Sequence, residues 1–181
     1  MIRDEALRLF AERGADSVTV RDVAAAAGVS PALVMHHFGT KAGLRRAVDD
    51  HVIAVIEGIL DAAVPGGPAS GGGSVADLLV TRLPAASPVP AYLRRLLMSG
   101  DPAGMRVFAQ WFELGAAADD GERPDGRAAL VVLGDLGRLL LRDHLAAVLG
   151  DDPLGAPASR RWAADAAAAL GTAQAPPPSP G

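Results

Sequence analysis

Apolar positions recur at helical spacing along most of the chain, and the interruptions are as informative as the runs. Over residues 3–13, Ala6, Leu7 and Phe10, with Ile2 just ahead, share one face of an amphipathic helix. Residues 20–27 are alanine-rich, which favours helix. Thr19 stands before them as a capping hydroxyl, with Asp22 three positions later as a partial capping box. Gly28 is placed to end that helix in the left-handed conformation. Ser30 can cap the next helix, and Pro31 suits its first position. Gly39 and Thr40 break the chain again, and Lys41 opens a further helix. Val20, Val23, Ala24, Val29, Leu33, Val34 and Phe38 are expected to form one small shared core.

Beyond this point the pattern is longer in wavelength. Residues 42–64 read as one long helix, followed by a flexible Pro/Gly/Ser loop over 65–74. Short helices are predicted over 75–83 and 91–99, with Pro84, Pro88 and Pro90 punctuating the approach to the second. The next helix runs from Pro102 to about residue 118. A polar turn covers 119–126, and residues 128–149 give the longest helical pattern. A loop over 150–157 leads to an alanine-rich helix capped by Ser159 and ending near residue 170. The closing Pro-rich residues cannot form a core and read as a disordered tail. No internal repeat and no convincing strand is present, so the fold is read as all-α, with nine or ten helices.

Composition narrows the chemistry. Half of the 181 residues are apolar but only 4% are aromatic, so the core is built mostly from Leu, Val and Ala. There is no cysteine, which excludes disulfides, thiolate metal sites and cysteine nucleophiles. The apolar stretch 128–149 is interrupted by Asp135, Arg138, Arg142, Asp143 and His144, too polar for a membrane span. The first residues do not read as a secretion leader, and a cytoplasmic location without membrane association is expected. No nucleophile–base pair, phosphate loop or metal motif is visible, so an enzyme is not expected and no cofactor is implied.

The net charge of −4 looks wrong for a nucleic-acid binder until its distribution is read. Between Val23 and Val48 there is no acidic residue, while Lys41, Arg45 and Arg46 contribute positive charge. Lys41 is the single lysine of the chain.

The segment around these residues has the layout of a helix-turn-helix DNA reader. It resembles the TetR family of one-component transcriptional regulators from about Ile2 to Val48. The resemblance rests on L-F-A-E-R-G (Leu9 to Gly14), T-V-R-D-V-A (Thr19 to Ala24), A-G-V-S (Ala27 to Ser30), H-H-F (His36 to Phe38) and T-K (Thr40, Lys41). It implies a three-helix DNA-binding domain over residues 1–46, a helical effector-binding and dimerisation domain over 47–171, and a tail over 172–181. Relatives usually carry residues ahead of the first helix, so a longer N-terminal arm, or its loss, is implied.

The opening residues of a recognition helix face the base edges of the major groove. Here these are Ser30, Pro31, Ala32, Leu33, Met35 and His36. Ala32 and Leu33 suit thymine methyls, and Ser30 suits a base or a phosphate. The resemblance makes Arg21 the guanine reader, and Thr19, His37, Thr40 and Lys41 phosphate holders. Relatives often carry a tyrosine on phosphate where Met35 stands; either His36 or His37 substitutes, with a pH-sensitive contact as the expectation, or DNA is bound somewhat more weakly. Adjacent histidines on a helix point apart, which argues against a metal.

In the body, Tyr92, Met98, Met105, Phe108, Trp111 and Phe112 hold much of the aromatic and sulfur content. Two readings stand: an apolar effector pocket with Arg106, Gln110 or His144 as polar groups, or the core of a protein short of aromatics. His144 likewise reads as a core or interface histidine, or as a ligand contact. Asp49, Asp50 and His51 read as a solvated helix face. The family dimerises through its last two long helices, here residues 128–149 and 160–170, with Gly134 and Gly137 allowing close approach and Leu133, Leu140 and Leu141 supplying apolar area.

The expectation is therefore a homodimer that binds a palindromic double-stranded operator as a repressor and is released by a small apolar effector. The alternative is a helical interaction module of the same fold without sequence-specific DNA recognition.

Overall fold

The computed structural model describes residues 1–63, 75–84, 86–117 and 126–169. The predicted loop 65–74, most of the turn 119–126 and the tail 172–181 lie outside the described residues. Among the described residues the fold is all-α, with ten helices: α1 (Ile2–Arg13), α2 (Val20–Ala26), α3 (Pro31–Phe38), α4 (Lys41–Ala63), α5 (Val75–Arg82), α6 (Val89–Met98), α7 (Pro102–Ala117), α8 (Gly126–Leu140), α9 (Arg142–Leu149) and α10 (Ala156–Ala169). No helix among the described residues is long and apolar enough to cross a membrane.

The first three helices and the start of α4 enclose a compact reader. Ala6, Leu7, Leu9, Phe10 and Ala11 of α1 pack with Val18, Val23, Ala24, Val34, Leu44 and Val48, all buried. Val20, Val29 and Phe38 are partly buried against them, as the pattern implied. Leu33 departs from the expected core. It is 38% exposed, because α3 has room to bury only Val34 while Leu33 lies on the outer face.

Local chemistry explains the breaks. The Thr19 hydroxyl accepts from the Asp22 amide at 3.2 Å, and the Asp22 carboxylate accepts from the Thr19 amide at 2.7 Å, a reciprocal capping box. Replacing an N-cap Thr costs roughly 1 kcal/mol. Thr19→Ala is therefore expected to lower chemical-denaturation stability by about that amount with the helical content retained; no loss at all would mean α2 is held by packing alone. Gly28 has φ +66°, which lets the chain reverse between α2 and α3 at no steric cost. Gly43 serves a different need: a Cβ there would stand 2.1 Å from the Phe38 carbonyl oxygen, so only glycine lets α4 start so close to the end of α3.

Helix α4 carries the fold from the reader into the body. Its 23 residues rise about 35 Å. Leu44, Val48, Val52 and Ile56, at four-residue spacing, are all buried. It packs on α1, α5, α6 and α7, while α6 packs on α1, α7 and α8, and α8 packs on α5, α7 and α9. The body core centres on Leu79, Leu93, Val107, Trp111, Val132 and Leu136.

Four further expectations change. The pattern over 128–149 is two helices, not one. On a straight helix Asp135, Arg138 and Arg142 would share a face. The bend at Leu141 (φ −107°, ψ 20°) instead leaves Arg138 buried and brings Arg142 to the surface, where it pairs with Asp152 at 2.6 Å. The last helix starts at Ala156 rather than after Ser159, and α6 starts at Val89 rather than Ala91. In both, a proline read as a break, Pro157 or Pro90, falls in the first helical turn, where its missing N–H has no helical partner to lose. Finally, Asp49 is not on a solvated face: it is 8% exposed and accepts a hydrogen bond from the Tyr92 hydroxyl at 2.5 Å.

Candidate nucleic-acid interface

Helix α3 buries Val34 and presents nearly everything else. Pro31, Ala32, Leu33, Met35, His36 and His37 are exposed, and Thr19, Arg21, Ser30 and Thr40 are exposed around them. The structure thus brings ten of the eleven predicted DNA-contact residues to the surface, with Lys41 half-buried beside them.

Their hydrogen bonds show what each has left to offer. The Ser30 hydroxyl accepts from the Leu33 amide at 3.2 Å, and that of Thr40 accepts from the Gly43 amide at 2.9 Å. Both keep their hydroxyl proton for an outside acceptor. Thr19 differs: its hydroxyl donates to the Asp22 carboxylate at 2.6 Å, so a phosphate would have to compete with that bond. The same hydroxyl and the Thr19 amide hold the Asp22 carboxyl below the usual carboxylate range. Lys41 Nζ donates to the Asp16 carbonyl at 3.0 Å, bracing the α1–α2 turn, with two of its three donors remaining. No hydrogen bond or ion pair among the described residues involves Arg21, which leaves its planar fork whole.

The histidine rings of His36 and His37 meet edge to face, 5.7 Å between centroids. Among the described residues no group of three or more metal-binding side chains is placed to hold an ion. Arg45, part of the basic run in the sequence, turns away from the reader face toward Asp49 (3.8 Å) and Asp101 (3.6 Å). Of the cations the sequence points to on the α3 side, Arg21 and Lys41 keep donors to spare.

The predicted effector residues do not converge on one cavity. Trp111 and Tyr92 are buried core residues, Met98 and Met105 are largely exposed, and Phe108 and Phe112 stack 6.4 Å apart with Phe108 at the surface. His144 is exposed on α9, a helix with no buried residue. Tyr92 and Met98 do come together, in a cleft of about 300 Å³ between reader and body that Arg45 and Arg95 also line.

Two side chains tie reader to body here: Arg95, for which the sequence predicts no role, and Asp49, which it places on a solvated face. Arg95 of α6 donates to the Ala11 and Glu12 carbonyls at 2.9 and 3.0 Å, capping the C-terminal end of α1. Asp49 takes the Tyr92 hydroxyl; burial holds its carboxyl above the usual range, and burial together with that carboxylate pushes the Tyr92 phenol up. A signal existed for both. Asp49 lies one position from buried Val48 and four from buried Ile53, and Arg95 lies three from buried Tyr92 on its helix.

Residues 2–48 match the family model described as bacterial regulatory proteins of the tetR family. A transcriptional regulatory protein of Mycobacterium tuberculosis, RaaS, is 40% identical over 99 residues, 55% of this chain and 44% of the relative. A transcriptional repressor of the same organism is 36% identical over 103 residues, 57% of this chain and 48% of its own length. The chain thus spans about half the length of the curated relatives it matches. A solved TetR-family regulator from Streptomyces coelicolor is 24% identical, covering 94% of this chain and 92% of that one, with a TM-score of 0.44.

Proposed function

We propose that this chain, which carries the DNA-binding segment of the TetR family in residues 2–48, is a homodimeric transcriptional regulator that represses from a palindromic operator until a small apolar effector releases it. The observation that carries the reading is the outer face of α3. It offers small and apolar side chains at its N-terminal end, Ala32 and Leu33, flanked by hydroxyls with free protons and an uncommitted Arg21. Such a face suits a major groove, with Arg21 on a guanine edge and Ser30, Thr40 and Lys41 on phosphates. The repressor sense follows the name of the mycobacterial relative.

A second copy is needed for specificity, since one reader covers little DNA. The row Leu130, Leu133 and Gly137 on α8, continued by Leu141 at the bend into α9, supports a paired helix face: the three leucines are 51–58% exposed, and among the described residues nothing lies within 4 Å of the Gly137 Cβ position. Gly134 does not serve that approach, because Trp162 of the same chain lies 3.5 Å from its Cβ position. Two-fold pairing would set half-sites about one helical turn apart. A monomer in sedimentation at micromolar concentration would remove this part of the reading.

The effector is assigned to the body beside α7. Phe108 and Phe112 stack there, Val107 and Trp111 pack inward, and Gln110 Nε2 reaches Glu57 of α4 at 3.5 Å. Displacing α7 would move α4, the element shared with the reader. The effector must bind the two states differently for anything to change.

The test is fluorescence anisotropy on duplexes tiling the DNA beside the gene, against scrambled duplex, at two salt concentrations. Tight binding to one near-palindromic tile is expected. Arg21→Ala should cost about 1–3 kcal/mol on that tile and relax one base position. Lys41→Ala should weaken all duplexes alike and lower the salt slope by about one. Equal weak binding everywhere would favour a helical interaction module instead.

A further inference from the structure

The cleft between reader and body is walled by the α1–α2 turn, the early part of α4 and the last turns of α6. Two guanidinium groups border it, and each has donors to spare. Arg45 stands 3.8 and 3.6 Å from the Asp49 and Asp101 carboxylates, beyond direct hydrogen-bond length, and its side chain is 37% exposed. Arg95 commits Nε and Nη2 to the end of α1, whereas its Nη1 makes no hydrogen bond among the described residues and faces Gly14 at the cleft wall. Leu96 and Met98 supply an apolar side. Among the described residues, Asp16 is the one carboxylate lining the cleft, and it is exposed.

We propose that this cleft binds a small amphipathic carboxylate, with its head group between Arg45 and Arg95 and its apolar part against Leu96 and Met98. Guanidinium forks match planar carboxylates in geometry as well as charge. A volume of about 300 Å³ sits at the lower end of small-ligand pockets and restricts the occupant to a compact acid. The site is separate from the α7 region assigned to the effector. Because its walls belong to both the reader and α6, a bound acid acts on the reader's placement without passing through α7. Only this effect on DNA rests on the regulator reading; the binding itself does not.

Calorimetric titration of the full chain at constant ionic strength, with benzoate, benzyl alcohol and inorganic phosphate as probes, tests it. Benzoate is expected to bind saturably and at least about tenfold more tightly than either control. Arg45→Gln should weaken benzoate by a similar factor. Met98→Glu, at a residue 72% exposed and outside the core, should do the same by placing a like charge at the rim. Benzoate and benzyl alcohol binding alike, phosphate binding as tightly as benzoate, or benzoate binding unchanged in Met98→Glu would each overturn the proposal. Failure of the regulator reading looks different: benzoate still binds, and the unliganded chain prefers no duplex.

Discussion

Arg138→Ala is expected to lower unfolding stability by about 3–5 kcal/mol, a fall in Tm on the order of 10 °C for a chain of this size. The Arg138 side chain is 1% exposed and joins four parts of the body. Its Nη2 donates to Asp77 of α5 at 2.6 Å and to the Pro153 carbonyl at 2.8 Å, and Nε donates to the same carbonyl at 3.1 Å. Asp135, one turn back on α8, lies 3.7 Å away and also accepts from the Val75 amide that starts α5. The Trp162 ring of α10 covers the guanidinium at 5.7 Å. Truncating the arginine removes the hydrogen bonds to Asp77 and the Pro153 carbonyl and the positive charge beside the Asp77 and Asp135 carboxylates, whose side chains are 20% and 6% exposed, and breaking such a buried pair costs more than the lost bonds alone. Arg138→Lys should recover only part of the loss, because a single ammonium cannot span a carbonyl and a carboxylate as a planar fork does. Thermal and urea melts decide the matter. A loss under about 1 kcal/mol would show that water reaches the network.

Ala32→Glu is expected to reduce binding to operator and generic duplex alike by at least about a hundredfold, close to 2.7 kcal/mol, while leaving the melting temperature unchanged. Ala32 is exposed in the first turn of α3, so the new side chain displaces nothing from the core. An acidic group near a helix N-terminus is favourable for the helix itself. In the complex the same carboxylate would face phosphates and base acceptors in a groove of strong negative potential. Anisotropy and a thermal melt on one preparation separate the two effects. Wild-type affinity in Ala32→Glu would mean that another surface meets the DNA.

The reader was legible because its signals are local. Thr19 with Asp22, Gly28, Ser30 with Pro31, and Gly39 each act within a few residues, and the helices begin and end where those residues place them. The body was legible only in outline. Arg138 could be seen as an interruption in an apolar run. Its burial depends on Asp77, 61 positions away, and on a carbonyl in a loop that no periodicity describes. Asp49 and Arg95 were readable in part, since spacing puts each at the edge of a buried face, but their partners lie 43 and 84 positions distant. The hydrophobicity of Leu33 suits both the core and a thymine methyl, and its position on a short surface helix gives it the outer face.

The two hydrogen bonds from Arg95 to the end of α1 bear on how such proteins can be recombined. The last carbonyls of a reader helix are satisfied here by a side chain from the body. A chimera made by joining this reader to another regulator's body at α4 would inherit the contiguous helix but not the arginine, leaving those carbonyls to water and the reader free to tilt. The unit that can be exchanged intact is thus not a stretch of sequence. It is the first four helices together with Arg95 and Tyr92 from the sixth.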